Sequence, residues 1–183
     1  DDFEINEENK QAFLIWYGKR NPEKEVVIET KFGNIALELF ENTPLHRANF
    51  IYLVKKEYFN TTYFHRVVKD FIVQGGNSDE WETSRARKKI GKYLIPPEFV
   101  PSNQHFYGAL AAARLWENNP EMLSNPFEYY IIQSKVGSHH LDGKHTVFGR
   151  VTQGMNVVEE IAKQPIDEGE FPLQNIQVKI RIK

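Results

Sequence analysis

Polar and apolar positions alternate most clearly near the end of the chain. There Ile176, Val178, Ile180 and Ile182 interleave with Gln177, Lys179, Arg181 and Lys183. Successive side chains of a strand point to opposite faces, so this period of two predicts a half-buried strand. Val26-Val-Ile28 and Ile35-Ala-Leu-Glu-Leu39 flank Lys31-Phe-Gly-Asn34, and two β-rich runs around a glycine turn predict a hairpin. Residues 129–132 and 146–151 predict further strands, as do the two halves of the stretch 63–76. The pattern changes at Thr43-Pro44, where threonine suits capping of free amides and proline suits the first helical position. Ala48, Phe50, Leu53 and Val54 then fall at helical spacing and mark a buried face. Residues 156–163 predict a second short helix, with Val157, Val158 and Ile161 on one side. Residues 77–91 and 117–126 are charged or irregular and read as exposed loops. Seven or eight short strands and two separated helices predict a mainly-β fold, a barrel with helices over its openings.

Ahead of this body lies an N-terminal arm, residues 1–24. It is polar and acidic at first, then carries Phe13-Leu-Ile-Trp-Tyr17, and is broken by Gly18, Asn21 and Pro22. It reads as a segment, with room for a short helix, that packs its aromatics onto residues 25–183. At 183 residues, 40% apolar and 13% aromatic, the chain has the length and content for one folded core. Its 23 basic residues nearly balance 25 acidic ones, for a net charge of −2, which argues against a general binder of nucleic acid or anionic membranes. The cluster Arg85-Ala-Arg-Lys-Lys89 follows acidic residues and reads as a solvated face. There is no cysteine, hence no disulfide, thiolate nucleophile or cysteine metal site. No apolar run approaches the ~18 residues needed to span a bilayer. The chain starts at Asp1 with an acidic arm and no methionine. That start fits a cleaved export signal and gives the expectation of a bacterial periplasm or envelope, with the cytoplasm as the alternative.

The stretch Tyr63-Phe-His-Arg-Val-Val-Lys-Asp-Phe-Ile-Val-Gln-Gly-Gly76 carries the chemistry. It sets Arg66, Gln74 and Phe71 on two β-like runs otherwise nearly free of charge. An arginine against apolar surface costs free energy unless it is paired or aimed at a ligand, which makes Arg66 a candidate working residue.

Phe64-His-Arg-Val and Phe71-Ile-Val-Gln-Gly-Gly76 resemble the cyclophilin-type peptidyl-prolyl cis–trans isomerases. Five further blocks recur in that family's order: Thr43-Pro-Leu-His-Arg-Ala-Asn-Phe50, Ile95-Pro-Pro-Glu-Phe99, Gly108-Ala-Leu-Ala-Ala-Ala-Arg114, Glu128-Tyr-Tyr-Ile131 and Leu141-Asp-Gly-Lys-His-Thr-Val-Phe-Gly149. Together they cover all but the arm, and the blocks ending at Phe99 and Arg114 look more like bacterial members. The resemblance implies a closed eight-stranded antiparallel β-barrel capped by two helices, with the substrate groove on its outer face.

Rotation about an X–Pro bond meets a barrier of about 18–20 kcal/mol, because resonance gives the C–N bond double-bond character. No nucleophile, metal or cofactor is needed; the catalyst has only to favour the twisted amide over the planar one. A donor at the prolyl nitrogen does so, since that lone pair is released when resonance breaks, and a guanidinium fork can address nitrogen and carbonyl together. The resemblance implies Arg66 as the catalytic arginine and Gln74 as the residue that helps orient it and binds substrate backbone. It implies a proline pocket of Phe71, Ile72, Tyr130 and Leu141, with His145 donating to a substrate carbonyl at the rim. Ala113 and Arg114 would recognise substrate backbone through main-chain groups, and His65 would play a structural part. His139, His140 and His145, with Asp142 among them, match no metal-ligand spacing. The implied partners are proline-containing peptides or unfolded chains, with no nucleic acid, and the chain is expected to be a monomer. The rival readings are a non-catalytic peptide-binding module or chaperone, and a scaffold that dimerises through residues 13–17.

Three positions depart from the family pattern. Glu128 stands where glutamine is usual and could pair with Arg66 or Arg114. Tyr130 replaces a phenylalanine and adds a hydroxyl that needs a partner. His140 stands where many eukaryotic members carry the tryptophan linked to tight cyclosporin binding. Weak inhibition by cyclosporin is therefore expected, and tight inhibition in a titration would refute it.

Overall fold

The computed structural model describes residues 3–183. In chain order its elements are β1 (Ile5–Asn6), α1 (Lys10–Arg20), β2 (Glu25–Thr30), β3 (Gly33–Leu39), α2 (Pro44–Lys55), β4 (Tyr63–Val68) and β5 (Ile72–Asn77). Then follow α3 (Trp81–Ile90), β6 (Gly91–Lys92), β7 (Ala109–Ala112), β8 (Tyr129–Ile132), β9 (Val147–Gln153), α4 (Met155–Ala162) and β10 (Lys179–Ile182). Eight strands form one antiparallel sheet in the order β10-β2-β3-β9-β7-β8-β5-β4. The sheet curls until its edges meet. Tyr63 of β4 bridges Gln177, the Phe64 amide donates to the Ile176 carbonyl at 2.9 Å, and the Val178 amide donates to the Thr62 carbonyl at 3.2 Å. The barrel predicted from the strand pattern is thus present, with β1 and β6 as a small parallel pair outside it.

Period-two patterning sorts the strands' side chains. Val26, Ile28, Ile35, Leu37, Phe64, Val67, Val73, Leu110, Tyr129 and Ile131 face the main core. Ile72, Ala109, Ala111, Tyr130 and Ile132 gather on the outer face in a second apolar cluster with Leu141 and Val147. That second cluster contains the apolar residues of the candidate site.

Among the described residues four helices are present, where two were expected besides the short helix for which the arm had room. The segment read as an exposed loop over 77–91 contains α3. Only Thr83 and Ile90 of this helix are buried, so it lacks the apolar stripe that marks a helix in sequence. α1 lies in the N-terminal arm, where Phe13 and Tyr17 each meet the Tyr52 ring of α2 edge-on at 5.1 Å. Ile15 and Trp16, also named for dimerisation, stay exposed. The buried Arg47 side chain holds the end of α1 by donating to the carbonyls of Gly18, Asn21 and Glu23.

The start of α2 also differs from expectation. Thr43 sits at the cap position, but its hydroxyl donates to the Phe40 carbonyl. The free amides of Leu45 and His46 are met at 3.1 and 2.9 Å by Glu98, whose negative charge also suits a helix N-terminus. Nor is α2 one-faced. Every residue from Leu45 to Val54 is buried, because α1 covers the side turned away from the barrel.

Candidate functional site

Phe64 and Val67 both point into the core, which leaves two residues between them instead of the one that simple alternation allows. The β4–β5 register explains this: Phe64 pairs with Gly75 and Arg66 with Gln74, so His65 is an extra, bulged residue. A bulge re-aims side chains next to it. Here it turns Arg66 to the outer face, opposite Gln74, which is itself paired with Tyr130 of β8.

Arg66 is held on two sides. Its Nη1 donates to the Gln74 Oε1 at 3.3 Å, and its Nε and Nη2 donate to the Glu170 Oε1 at 3.2 and 3.0 Å. Three of its five N–H groups are thereby engaged, and two have no partner among the described residues. Beside it the outer apolar cluster joins Ile72, Tyr130 and Leu141, with Phe71 and Ala113 packed against them. Ile72 and Tyr130 are each 3% exposed and form a floor, whereas Phe71 is only partly buried and its ring lies 5.7 Å from the exposed His140 ring, tilted by 31°. The larger surface hollows lie elsewhere, one of them lined by Glu29, Lys31, Asn60, Glu80 and Gln177.

Glu128 does not pair with Arg66 or Arg114, as its position had suggested. Its carboxylate accepts from His65 Nε2 at 2.9 Å, Arg87 Nη2 at 3.3 Å, Asn125 Nδ2 at 3.1 Å and Gln74 Nε2 at 3.3 Å. Arg87 comes from α3 and belongs to the basic cluster read as solvated. Its guanidinium instead turns inward, over the Phe127 ring and onto the Tyr58 hydroxyl. Burial pushes the Glu128 carboxyl up, but the hydrogen bonds and charges of His65 and then Arg87 outweigh it and hold the carboxyl below its ordinary value. An ionised carboxylate only accepts, so it fixes the Gln74 amide with nitrogen toward Glu128 and oxygen toward Arg66. Gly76 allows this close approach. Its φ is 100°, and a Cβ there would collide with the Phe127 carbonyl.

The Tyr130 hydroxyl finds its partner in His105, a residue the sequence reading did not single out. His105 is fully buried, and its Nδ1 lies 2.8 Å from the Asp142 carboxylate. The Nδ1 proton is therefore spent on Asp142, and Nε2 accepts from the Tyr130 hydroxyl at 2.8 Å. Asp142 also accepts from His139 and is wholly occupied in holding this corner.

His145 was expected to donate to substrate. Its Nδ1 lies 3.0 Å from the Ala112 carbonyl, which can only accept, so Nδ1 carries the proton and Nε2 of the neutral ring is an acceptor. Burial lowers its pKa to about 4, so the ring stays neutral near pH 7. Because the folded value lies below the ordinary one, His145 contributes stability that is complete above the ordinary histidine range and is lost as pH falls toward about 4. An NMR titration should find its midpoint near that lowered value of about 4. A midpoint in the ordinary range would contradict this assignment.

Ala113 and Arg114 stand beside the cluster, but their groups are partly spent. The Ala113 amide donates to the Glu128 carbonyl, and its own carbonyl accepts from Asn125. The Arg114 side chain donates to the carbonyls of Lys144 and Leu115 and lies 4.4 Å over the exposed Trp116 ring. That ring in turn meets His145 at 5.1 Å. Trp116 thus borders the site, although it lies between the block ending at Arg114 and the segment 117–126 and was singled out by neither.

Comparison with known proteins places this geometry in a family. The model for cyclophilin type peptidyl-prolyl cis-trans isomerase/CLD matches residues 25–181. Peptidyl-prolyl cis-trans isomerase-like 1 of Neurospora crassa is 34% identical over 161 residues, 86% of this chain and 93% of its own length. Peptidyl-prolyl cis-trans isomerase-like 2 of Rhizopus delemar is also 34% identical, over 89% of this chain, and the chain spans 29% of that protein. A cyclophilin type peptidyl-prolyl cis-trans isomerase of Cryptosporidium parvum, crystallised in the presence of the dipeptide Ala-Pro, is 26% identical and superposes with a TM-score of 0.73. That match covers 87% of this chain and 99% of that one. These relatives are eukaryotic, and the bacterial likeness read from the blocks ending at Phe99 and Arg114 gains no support from them.

Proposed function

The chain belongs to the cyclophilin-type peptidyl-prolyl cis–trans isomerase family, and from that premise we propose that it accelerates X–Pro rotation in peptides and unfolded chains, with Arg66 as the catalytic residue. The observation that carries this reading is Arg66 itself. It is turned outward by the His65 bulge, oriented by Gln74, and keeps two N–H groups without a partner beside an apolar floor.

A proline ring seated on Ile72, Tyr130 and Leu141, against Phe71, would bring its nitrogen toward the guanidinium. As the amide twists, the nitrogen gains a lone pair and the Arg66 N–H groups gain an acceptor absent in the planar state. An interaction made only in the transition state lowers the barrier, whereas one made equally in both does not. The Ala-Pro dipeptide present with the Cryptosporidium relative fits the same substrate class.

A second reading has one observation behind it: Glu170 already occupies one side of Arg66, as it would in a module that binds proline segments without turning them over. Exchange NMR of a neutral Ala-Pro peptide separates the two. Cross-peaks between cis and trans forms that grow with protein concentration mark an isomerase. Chemical-shift changes from binding, without faster exchange, mark a binding module and overturn the catalytic reading.

A further inference from the structure

Glu170 belongs to a turn over residues 166–172 and has no part in the apolar floor. Its φ is 68°, in the left-handed region that a glycine adopts without cost, although Gly169 stands next to it. The turn is built to keep it there. Asp167 Oδ1 accepts from the amides of Gly169 and Phe171, the Glu170 amide donates to the Asp167 carbonyl, and the Glu170 carbonyl accepts from the Val67 amide of β4 at 2.9 Å. The carboxylate then lies on Arg66 through Oε1 alone, while Oε2 has no partner among the described residues. Both side chains are 38% exposed, so the pair is open to solvent and to a bound peptide.

We propose that Glu170 is a specificity-determining residue: seated on Arg66, it favours X–Pro segments with a cationic side chain next to the proline and turns away acidic ones. This rests on the isomerase reading of the site. An unpaired arginine would attract acidic neighbours of the proline and repel basic ones. Glu170 cancels that field and adds a free carboxylate oxygen that a lysine or arginine of the peptide can reach. An acidic neighbour meets the opposite situation, with its natural partner taken and a like charge beside it. Glu168, exposed in the same turn, adds to the negative rim.

The test measures turnover of Lys-Pro, Glu-Pro and neutral Ala-Pro peptides by wild type, Glu170→Gln and Glu170→Lys. The charged peptides are scored within each protein relative to Ala-Pro. Wild type should prefer Lys-Pro over Glu-Pro. Glu170→Gln should reduce that preference about fivefold, the scale of one close charge–charge contact in water, and Glu170→Lys should reverse it. High salt should flatten the wild-type preference, because an exposed pair is screened. A ratio unchanged in Glu170→Gln, with Ala-Pro still turned over, overturns the selectivity alone. Absence of turnover of all three peptides by wild type overturns the isomerase reading and the selectivity with it.

Discussion

Replacing Arg66 by alanine is expected to lower kcat/KM for an X–Pro peptide by about 10²–10³-fold, the usual scale for removing one preorganised transition-state donor. The loss should fall mainly on kcat. The floor of Ile72, Tyr130 and Leu141 remains to bind the ring, whereas the interaction removed is made with the twisted amide. The fold should hardly notice, because a partly exposed pair such as Arg66–Glu170 is worth about 0–1 kcal/mol. Lysine at position 66 should restore little of the rate. Its single nitrogen cannot span Gln74 on one side and Glu170 on the other as the planar guanidinium does through Nη1, Nε and Nη2. It leaves at most one donor for the amide, where Arg66 leaves two. A protease-coupled assay beside a thermal melt reads both effects. Similar rates for wild type and Arg66→Ala would end the mechanism.

The second large effect is expected at Arg87, away from the substrate. Removing its guanidinium leaves the Glu128 carboxylate with its burial cost and fewer partners. Breaking a fully buried pair costs about 3–5 kcal/mol, and the partial exposure of Arg87 brings the expectation for Arg87→Ala to roughly 2–4 kcal/mol. Denaturant melts should show it as a lower midpoint at unchanged slope. The pH dependence has a definite sign. With its value lowered on folding, Glu128 stabilises the fold above the ordinary carboxylate range, and that contribution is lost as pH falls through the lowered value. In Arg87→Ala burial gains weight, the Glu128 value rises, and the acid limb of the stability curve moves to higher pH. Pairing Arg87→Met with Glu128→Gln should recover much of the loss, since neither charge then remains uncompensated. A double variant as unstable as Arg87→Ala would refute the ion-pair account.

What the sequence disclosed depended on the range of the interaction. Alternation at Ile176–Ile182 and the runs of the first hairpin are local properties; β2 and β3 stand where the hairpin runs lie, while β10 takes only the second half of the alternating run, Gln177 forming a lone bridge to Tyr63. The outward Arg66 was legible because an arginine amid apolar strands demands a reason. Its second anchor was not, since Glu170 lies 104 residues further on in an acidic turn of ordinary appearance. The same distance hid Glu98 as the cap of α2, 53 residues from the amide that it meets, while Thr43 offered a plausible local substitute. In α3 the obstacle was different: a helix held through Arg87 and two buried residues has no apolar period to find. The tautomer of His145 depends on the Ala112 carbonyl, and no spacing of residue types records where a carbonyl points.

The seam that closes the barrel bears on how the chain is made. Residues 62–64 meet 176–178 there, and β10 also pairs with β2, so residues 176–182 supply the partner for both remaining strand edges. During synthesis β2 and β4 stay unpaired on those edges until residues 176–182 have left the ribosome. Such long-range pairings are slow to form, and exposed edges invite pairing with other chains. A chain with this barrel therefore closes it only when residues 176–182 have joined both edges, and until then the two edges are open to pairing with other chains.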